Sequence, residues 1–249
     1  MINISLKKIK LLKKLGFGIY GTIYLVKINN KKYALKVQKI INRKEIIKEL
    51  ELYEFINKIN NDDQKFFTKL YKYEFDNKCK HSQKRYINID SKASNNFSKE
   101  ITKHDISPYC LRYIMDYHGN KTLSNYLIYN KLSKKNIYSI ILQCIKIHLV
   151  LFKGGYSHND LHNNNIMVRK TKDVYFTFMK NKIPYYGIQL VAIDYGMVSK
   201  KRSEKLLLKD IIKNIMNIVS NFLLPRKEIL ELIEKNNVKD IVNYCCEKT

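Results

Sequence analysis

The run His158-Asn-Asp-Leu-His-Asn-Asn-Asn165 constrains this chain more than any other stretch. It reads as a polar loop, set between two strongly patterned segments. Upstream, Ser133 to Phe152 carries Ile137, Ile140, Ile141, Cys144, Ile145, His148 and Leu149 at helical spacing, and Gly154-Gly155 ends the pattern. Downstream, Ile166-Met-Val168 opens a strand-rich segment that runs to Ile193. A loop held between a long helix and a strand presents fixed side chains. Asp160 can accept a hydroxyl proton or orient a nucleophile, and Asn165, five residues on, can bind Mg²⁺ from the same loop.

Three further motifs fit that chemistry. Val191-Ala-Ile-Asp-Tyr-Gly196 sets one carboxylate, Asp194, at a strand end, where a metal bridging β- and γ-phosphates needs a ligand. Near the start, Gly16, Gly18 and Gly21 fall in Leu15-Gly-Phe-Gly-Ile-Tyr-Gly-Thr-Ile23, although glycine is scarce, only eight in the chain. Clustered glycines let backbone N–H groups approach phosphate oxygens. Dinucleotide-binding folds share the pattern, but there it opens a helix. Here Thr22-Ile-Tyr-Leu-Val26 looks like a strand, so the glycines are expected in a β-hairpin. Ala34-Leu35-Lys36 then sets a lysine on the next strand, able to reach the α- and β-phosphates if a carboxylate holds it. The helix expected over Arg43 to Asn57, with Ile46, Ile47, Leu50 and Tyr53 at helical spacing, offers Glu45, Glu49, Glu51 and Glu54. Glu49, at the edge of that apolar face, is the chosen partner. Each motif alone is compatible with a turn, a solvated lysine or a polar loop; their order along one chain is what points to phosphoryl transfer.

From Leu12 to about Leu224 the chain resembles the protein-kinase-like superfamily, in particular compact kinase-like proteins of large DNA viruses. The His-Asn-Asp-Leu-His start of the loop, the Lys182-Ile-Pro-Tyr-Tyr-Gly187 turn ahead of Ile-Asp-Tyr-Gly, and the lysine- and asparagine-heavy composition carry the resemblance. It implies a two-lobed α+β fold, with a β-rich N-lobe over about 1–117 that includes an insertion at 77–108, and a reduced, mainly helical C-lobe over about 118–249. It implies ATP and Mg²⁺ as cofactors. Met115 would be the gatekeeper and Asp116-Tyr117-His118 the segment that meets adenine, with Ile23, Ala34 and Met167 against the ring. Asp210 would open a helix and brace the catalytic loop. Three positions depart from the pattern. Asn159 stands where an arginine precedes the catalytic Asp. His162 stands where protein kinases carry a lysine, as in small-molecule kinases of the aminoglycoside and choline type. No Ala-Pro-Glu follows Gly196, so the peptide-docking region is expected to be reduced. With Asn159 uncharged, and Ser199 and Ser203 the only hydroxyls between Met197 and Lys209, no switching by phosphorylation is expected there.

Composition bounds the rest. The formal net charge is +25, almost all from lysine, with Asn, Ile and Tyr also abundant. A polyanionic partner would explain the charge. So would an AT-rich genome, since these residues share AT-rich codons, and no aromatic-interleaved basic motif or zinc pattern accompanies it. Nucleic acid is therefore not expected as a specific ligand. The cysteines, Cys79, Cys110, Cys144, Cys245 and Cys246, show no metal or redox spacing, and Cys79 with His81 makes too small a ligand set. No signal peptide is read in Met1 to Leu15, Ile2 excludes N-myristoylation, and no apolar run approaches a bilayer span. A monomer in the cytoplasm, the host cytoplasm if viral, is expected, acting on a protein substrate or a small hydroxyl-bearing molecule. The function classes are then an active Ser/Thr protein kinase, a small-molecule kinase, a nucleotide-binding scaffold without turnover, and a nucleic-acid binder.

Overall fold

The computed structural model describes residues 6, 9–17, 21–40, 43–76, 109–200, 203–220, 229–231 and 238–249. The stretch read as an insertion at 77–108, with Cys79 and His81, lies outside them, as do Gly18 and Pro225. The order is β1 (Leu11–Phe17), β2 (Gly21–Ile28), β3 (Lys31–Lys39), α1 (Arg43–Lys58), α2 (Asn61–Gln64), β4 (Leu70–Asp76), β5 (Cys110–Asp116), α3 (Leu123–Tyr129), α4 (Lys134–Lys153), β6 (Tyr156–Ser157), a 3₁₀ turn (Asn163–Asn165), β7 (Ile166–Lys170), β8 (Tyr175–Phe178), β9 (Asn181–Pro184), β10 (Ile188–Ala192), β11 (Ser199–Lys200), α5 (Glu204–Val219) and α6 (Val238–Lys248). The fold is mixed α+β. An antiparallel sheet of order β1-β2-β3-β5-β4 comes first, followed by helices and two-stranded sheets. The chain divides into two compact units, Met1–Ile46 with Lys69–Tyr117, and Ile47–Thr68 with His118–Thr249.

In the first unit, β1 and β2 pair antiparallel on either side of the glycine run, which therefore joins two strands and does not open a helix. Gly21 is fixed by packing: a Cβ there would lie 2.3 Å from the Val37 carbonyl oxygen on β3. The β2–β3 hairpin turns on Asn29 and Asn30, both with positive φ, the two-residue turn whose twist matches the strands. Period-two alternation gives the sheet two distinct faces. On one, Val26, Leu35, Val37, Cys110 and Ile114 form a core with Leu6 and Ile9. Leu35 alone, with no exposed surface, contributes roughly 1.5–3 kcal/mol by burial. The cross-strand pairs Ile23↔Lys36, Ala34↔Met115 and Lys36↔Tyr113 put those side chains on the opposite face.

The second unit is built on α4. Ser133 and Asn136 form a reciprocal capping box at its start, and Gly154 caps its end. A Cβ on Gly154 would collide with the Phe55 ring, 2.2 Å from its nearest atom. The apolar stripe is buried as the spacing implies except for Leu149, which is half-buried, and Ser139, Gln143 and Lys146 elsewhere on the helix are buried too. Each has an internal partner. Ser139 donates to the Pro184 carbonyl (2.6 Å). Gln143 donates to the Ile188 carbonyl (3.3 Å) and accepts from the Leu190 N–H (2.8 Å), bonding α4 to β10. Lys146 donates to the Thr177 carbonyl and reaches the Asp63 carboxylate, both at 2.7 Å. Contrary to the sequence expectation, α4 is long and apolar enough to cross a bilayer; 72% of that apolar window is buried inside the protein.

Other expectations are corrected in detail. The run Phe66 to Phe75 is not one strand. Phe66 sits in an aromatic cluster with Phe176 and Tyr185, and Phe66 and Thr68 bond to Ala192, whereas β4 begins only at Leu70. On α1 the buried stripe is Ile46, Glu49, Leu52, Tyr53 and Ile56, while Ile47 is 54% exposed. Glu49 therefore occupies the middle of the buried face, where an apolar residue would be expected. Helix α5 begins at Glu204, capped by the Ser203 hydroxyl, so Asp210 lies inside the helix and does not open it. Among the described cysteines, Cys110 is disulfide-bonded and Cys144, Cys245 and Cys246 are free thiols.

Candidate active site

The second unit gathers Asp160, His162, Asn165 and Asp194. The loop from His158 closes on itself: the His162 N–H bonds the Asp160 carbonyl (3.0 Å), and the Asn165 N–H bonds the His162 carbonyl (2.8 Å). The Asn165 carboxamide then donates to both the Asp160 carbonyl (2.9 Å) and its carboxylate (3.1 Å). A carboxylate and a carboxamide five residues apart are thus held in direct contact. The amide orientation this requires turns its N–H side toward Asp160, leaving Oδ1 as the atom of the kind Mg²⁺ takes. The Asn165 carbonyl accepts from the Ile193 N–H (3.0 Å), which ties the end of β10, one residue before Asp194, to the same loop.

Asp194 itself has φ 60, a left-handed conformation uncommon for residues with a Cβ though most accessible to Asn and Asp, and so does Asn159, at φ 63. Two left-handed residues, one beside Asp160 and one that is itself a candidate ligand, mark this loop pair as a place where geometry overrides local preference. The carboxylate of Asp160 is half exposed. The His162 Nε2 lies 3.7 Å from its Oδ1, too long for a hydrogen bond. The His162 Nδ1 accepts from the Asn164 N–H (3.2 Å), so in the neutral ring the proton sits on Nε2, facing Asp160.

Behind the loop lie two buried histidines. His158 Nε2 is 3.0 Å from the Ile193 carbonyl, which can only accept, so Nε2 carries the proton. Burial pulls its pKa down, outweighing the opposite pull of the Ile193 carbonyl and of the Asp194 and Asp160 carboxylates. His148 on α4 is pushed down to about 3 by burial, with His158 adding to the shift. Both rings are neutral near neutral pH. From α5, Asn214 donates to the Leu161 carbonyl (2.5 Å), and the Asn217 carbonyl accepts from Asn163 (3.1 Å). These two asparagines tie α5 to the loop. An open depression of about 360 Å³ beside the loop is lined by His162, Asn163, Asn164 and Asn217.

No protein-family model and no curated protein matches this sequence.

The remaining predicted residues are placed as follows. Met167, on β7 opposite Val191, is buried, and His118 Nε2 lies 3.0 Å from the Thr68 hydroxyl. Glu49 is 1% exposed on α1. In the first unit, Gly16 lies on β1 with open space around its Cα and Gly21 on β2, while Gly18 falls outside the described residues. Ile23, Ala34, Lys36 and Met115 share one sheet face. Lys36 is buried, with its ammonium 5.4 Å from the Tyr113 ring centroid. At the end of β5, Asp116 accepts from the Tyr71 hydroxyl (2.6 Å), and Tyr117 closes the first unit. Lys36 and Glu49 are both buried, which is uncommon for either residue type. Among the described residues no three His, Cys, Asp or Glu side chains cluster as a metal site. The ligand set of Asn165 and Asp194 instead suits Mg²⁺ held jointly with phosphate oxygens. Sequence reasoning missed Asn214 and Asn217, and it read Asn159 only as a missing arginine, not as a source of bonds. The signal available was the density of asparagine, which after glycine most readily adopts left-handed backbone and can donate to carbonyls.

Proposed function

We propose that this chain is an ATP- and Mg²⁺-dependent phosphotransferase of protein-kinase-like type, moving the γ-phosphate to a hydroxyl, with a protein Ser or Thr as the first acceptor to test. The observation that carries this reading is the contact between Asp160 and Asn165 on one loop, with the Asn165 carbonyl bonded to the strand end just before Asp194. Phosphoryl transfer asks mainly for positioning and charge stabilisation. In this reading Asp160 accepts or orients the acceptor hydroxyl proton. Asn165 and Asp194 hold Mg²⁺, which when bound neutralises charge on the β- and γ-phosphates. Lys36 and the glycine run bind phosphate oxygens, and Ile23, Ala34, Met115, Asp116, Tyr117, His118 and Met167 take the adenine. Glu49 is the carboxylate assigned to Lys36 in this reading, from the order of the sequence motifs.

A second reading, a small-molecule acceptor, is favoured by one feature. The depression beside the loop is open and lined by three asparagines and His162, hydrogen-bonding groups suited to a polyol. Transfer of labelled phosphate from ATP to mixed protein and metabolite pools separates the two. Asp160→Asn should lower kcat by roughly 10²–10⁴ with nucleotide affinity nearly unchanged. Asp194→Asn should abolish turnover. Wild-type protein that binds ATP yet transfers phosphate to nothing would make it a scaffold, and Asp194→Asn turnover within a few-fold of wild type would remove Asp194 from the metal site.

A further inference from the structure

We propose that Asn159 is a positioning residue that fastens the far end of the Asp194 loop to the loop carrying Asp160, through Ser199 and without a phosphate; this rests on the proposed phosphotransferase function. The Asp194 loop leaves β10 at a point already held by the bond from the Ile193 N–H to the Asn165 carbonyl. It turns through Tyr195, whose hydroxyl bonds the Ala192 carbonyl (2.8 Å), and through a Val198 N–H to Tyr195 carbonyl bond (3.1 Å). It re-enters structure at β11, where Ser199 pairs with Ser157 and Lys200 with Tyr156. Asn159 closes the circuit. Its side-chain N–H group reaches the Met197 carbonyl (2.6 Å) and the Ser199 hydroxyl (3.0 Å). Lys200 adds an ion pair to Glu51 (2.5 Å). Both ends of the short Asp194 excursion are therefore tied to the segment 158–165.

Two observations argue that the tie serves position. Asn159 adopts a left-handed backbone to make it, which turns the chain directly ahead of Asp160. Its carboxamide bonds lie entirely on the Asp194 loop, so they add nothing to its own loop's stability except by joining the two. A short neutral side chain making both bonds needs no charge on the opposite segment. The hydroxyls of that segment are already used: Ser199 by Asn159, and Ser203 as the cap of α5.

The test combines hydrogen exchange with kinetics on the full chain. Ser199→Ala removes one bond from the far side and leaves the Asn159 backbone untouched; Asn159→Gly removes both bonds while accommodating the positive φ. Each should speed amide exchange over 194–200 by about 3- to 10-fold, the range for a lost hydrogen bond or two, and the double variant should be no faster than Asn159→Gly alone. In the same proteins kcat should fall by a similar factor while the KM for ATP stays within about twofold, and phosphatase treatment should change neither readout. Exchange at wild-type rates, or additive effects in the double variant, would overturn the tie. Faster exchange with unchanged kcat would overturn the positioning role. Wild-type protein that transfers no phosphate would sink the function and the positioning role with it, while the exchange arm would still decide the tie.

Discussion

His148 and His158 show how much one side chain can bias the behaviour of this protein. Both are buried, and burial holds each imidazole below its ordinary value, His148 at about 3. A histidine with a lowered folded pKa takes up its proton first in the unfolded chain. Its contribution is complete above the unfolded value, about 6.5, and is lost as pH falls toward the folded value, at up to roughly 1.4 kcal/mol per pH unit. The urea midpoint should therefore drop steadily from pH 7 to pH 5. In His148→Leu the drop should shrink clearly, because one titrating group is gone. Parallel pH profiles for the two proteins would show that His148 does not carry the effect. At the same scale, Asp160, Asn165 and Asp194 were singled out from residue type and spacing alone, and the structure ties their loops together. Asn159 was readable only as a missing arginine, because its bonds go to Met197 and Ser199, some forty positions away, and no local rule anticipates them.

Among the elements, the β8–β9 hairpin departs most from local preference. Its two-residue turn is Met179-Lys180, with φ 47 and 68, between the Phe178↔Asn181 and Thr177↔Lys182 pairs. Such turns favour an asparagine followed by a glycine, because each residue with a branched or long side chain in left-handed backbone costs about 1–2 kcal/mol. The double variant Met179→Asn, Lys180→Gly probes that cost. It should raise stability by about 1 kcal/mol or more, read as a higher urea midpoint at unchanged slope. A loss of stability would mean that Met179, half exposed, packs more than the backbone conformation suggests. The hairpin is held against α4 by the Lys146 bond to the Thr177 carbonyl, which explains how an unfavourable turn is kept. Helix α1 carries the complementary lesson. Its helical period was legible, but Ile47 and Glu49 exchanged places, the isoleucine outside and the carboxylate inside. Periodicity counts apolar residues and cannot see that a polar one is wanted in the stripe.

For the whole molecule the outstanding quantity is a charge of +25. Lysines spread over a surface attract any polyanion through counterion release, without reading sequence. Single-stranded DNA, duplex DNA and heparin should therefore bind alike at low salt, and affinity should fall at least tenfold between about 50 and 200 mM salt, measured by fluorescence anisotropy or competition. Sequence preference that survives the higher salt would instead make nucleic acid a specific partner. The division into elements was set by the sequence itself: the capped α4, the glycine-joined β1 and β2, and the polar loop between α4 and β7 all follow from local patterns that need no distant partner. The tertiary structure alone decided which polar groups go inside. Gln143, Lys146 and the two histidines are buried where another part of the chain supplies a bond, a charge or enclosing apolar surface. Those partners lie tens of residues away, where neither spacing nor propensity carries information.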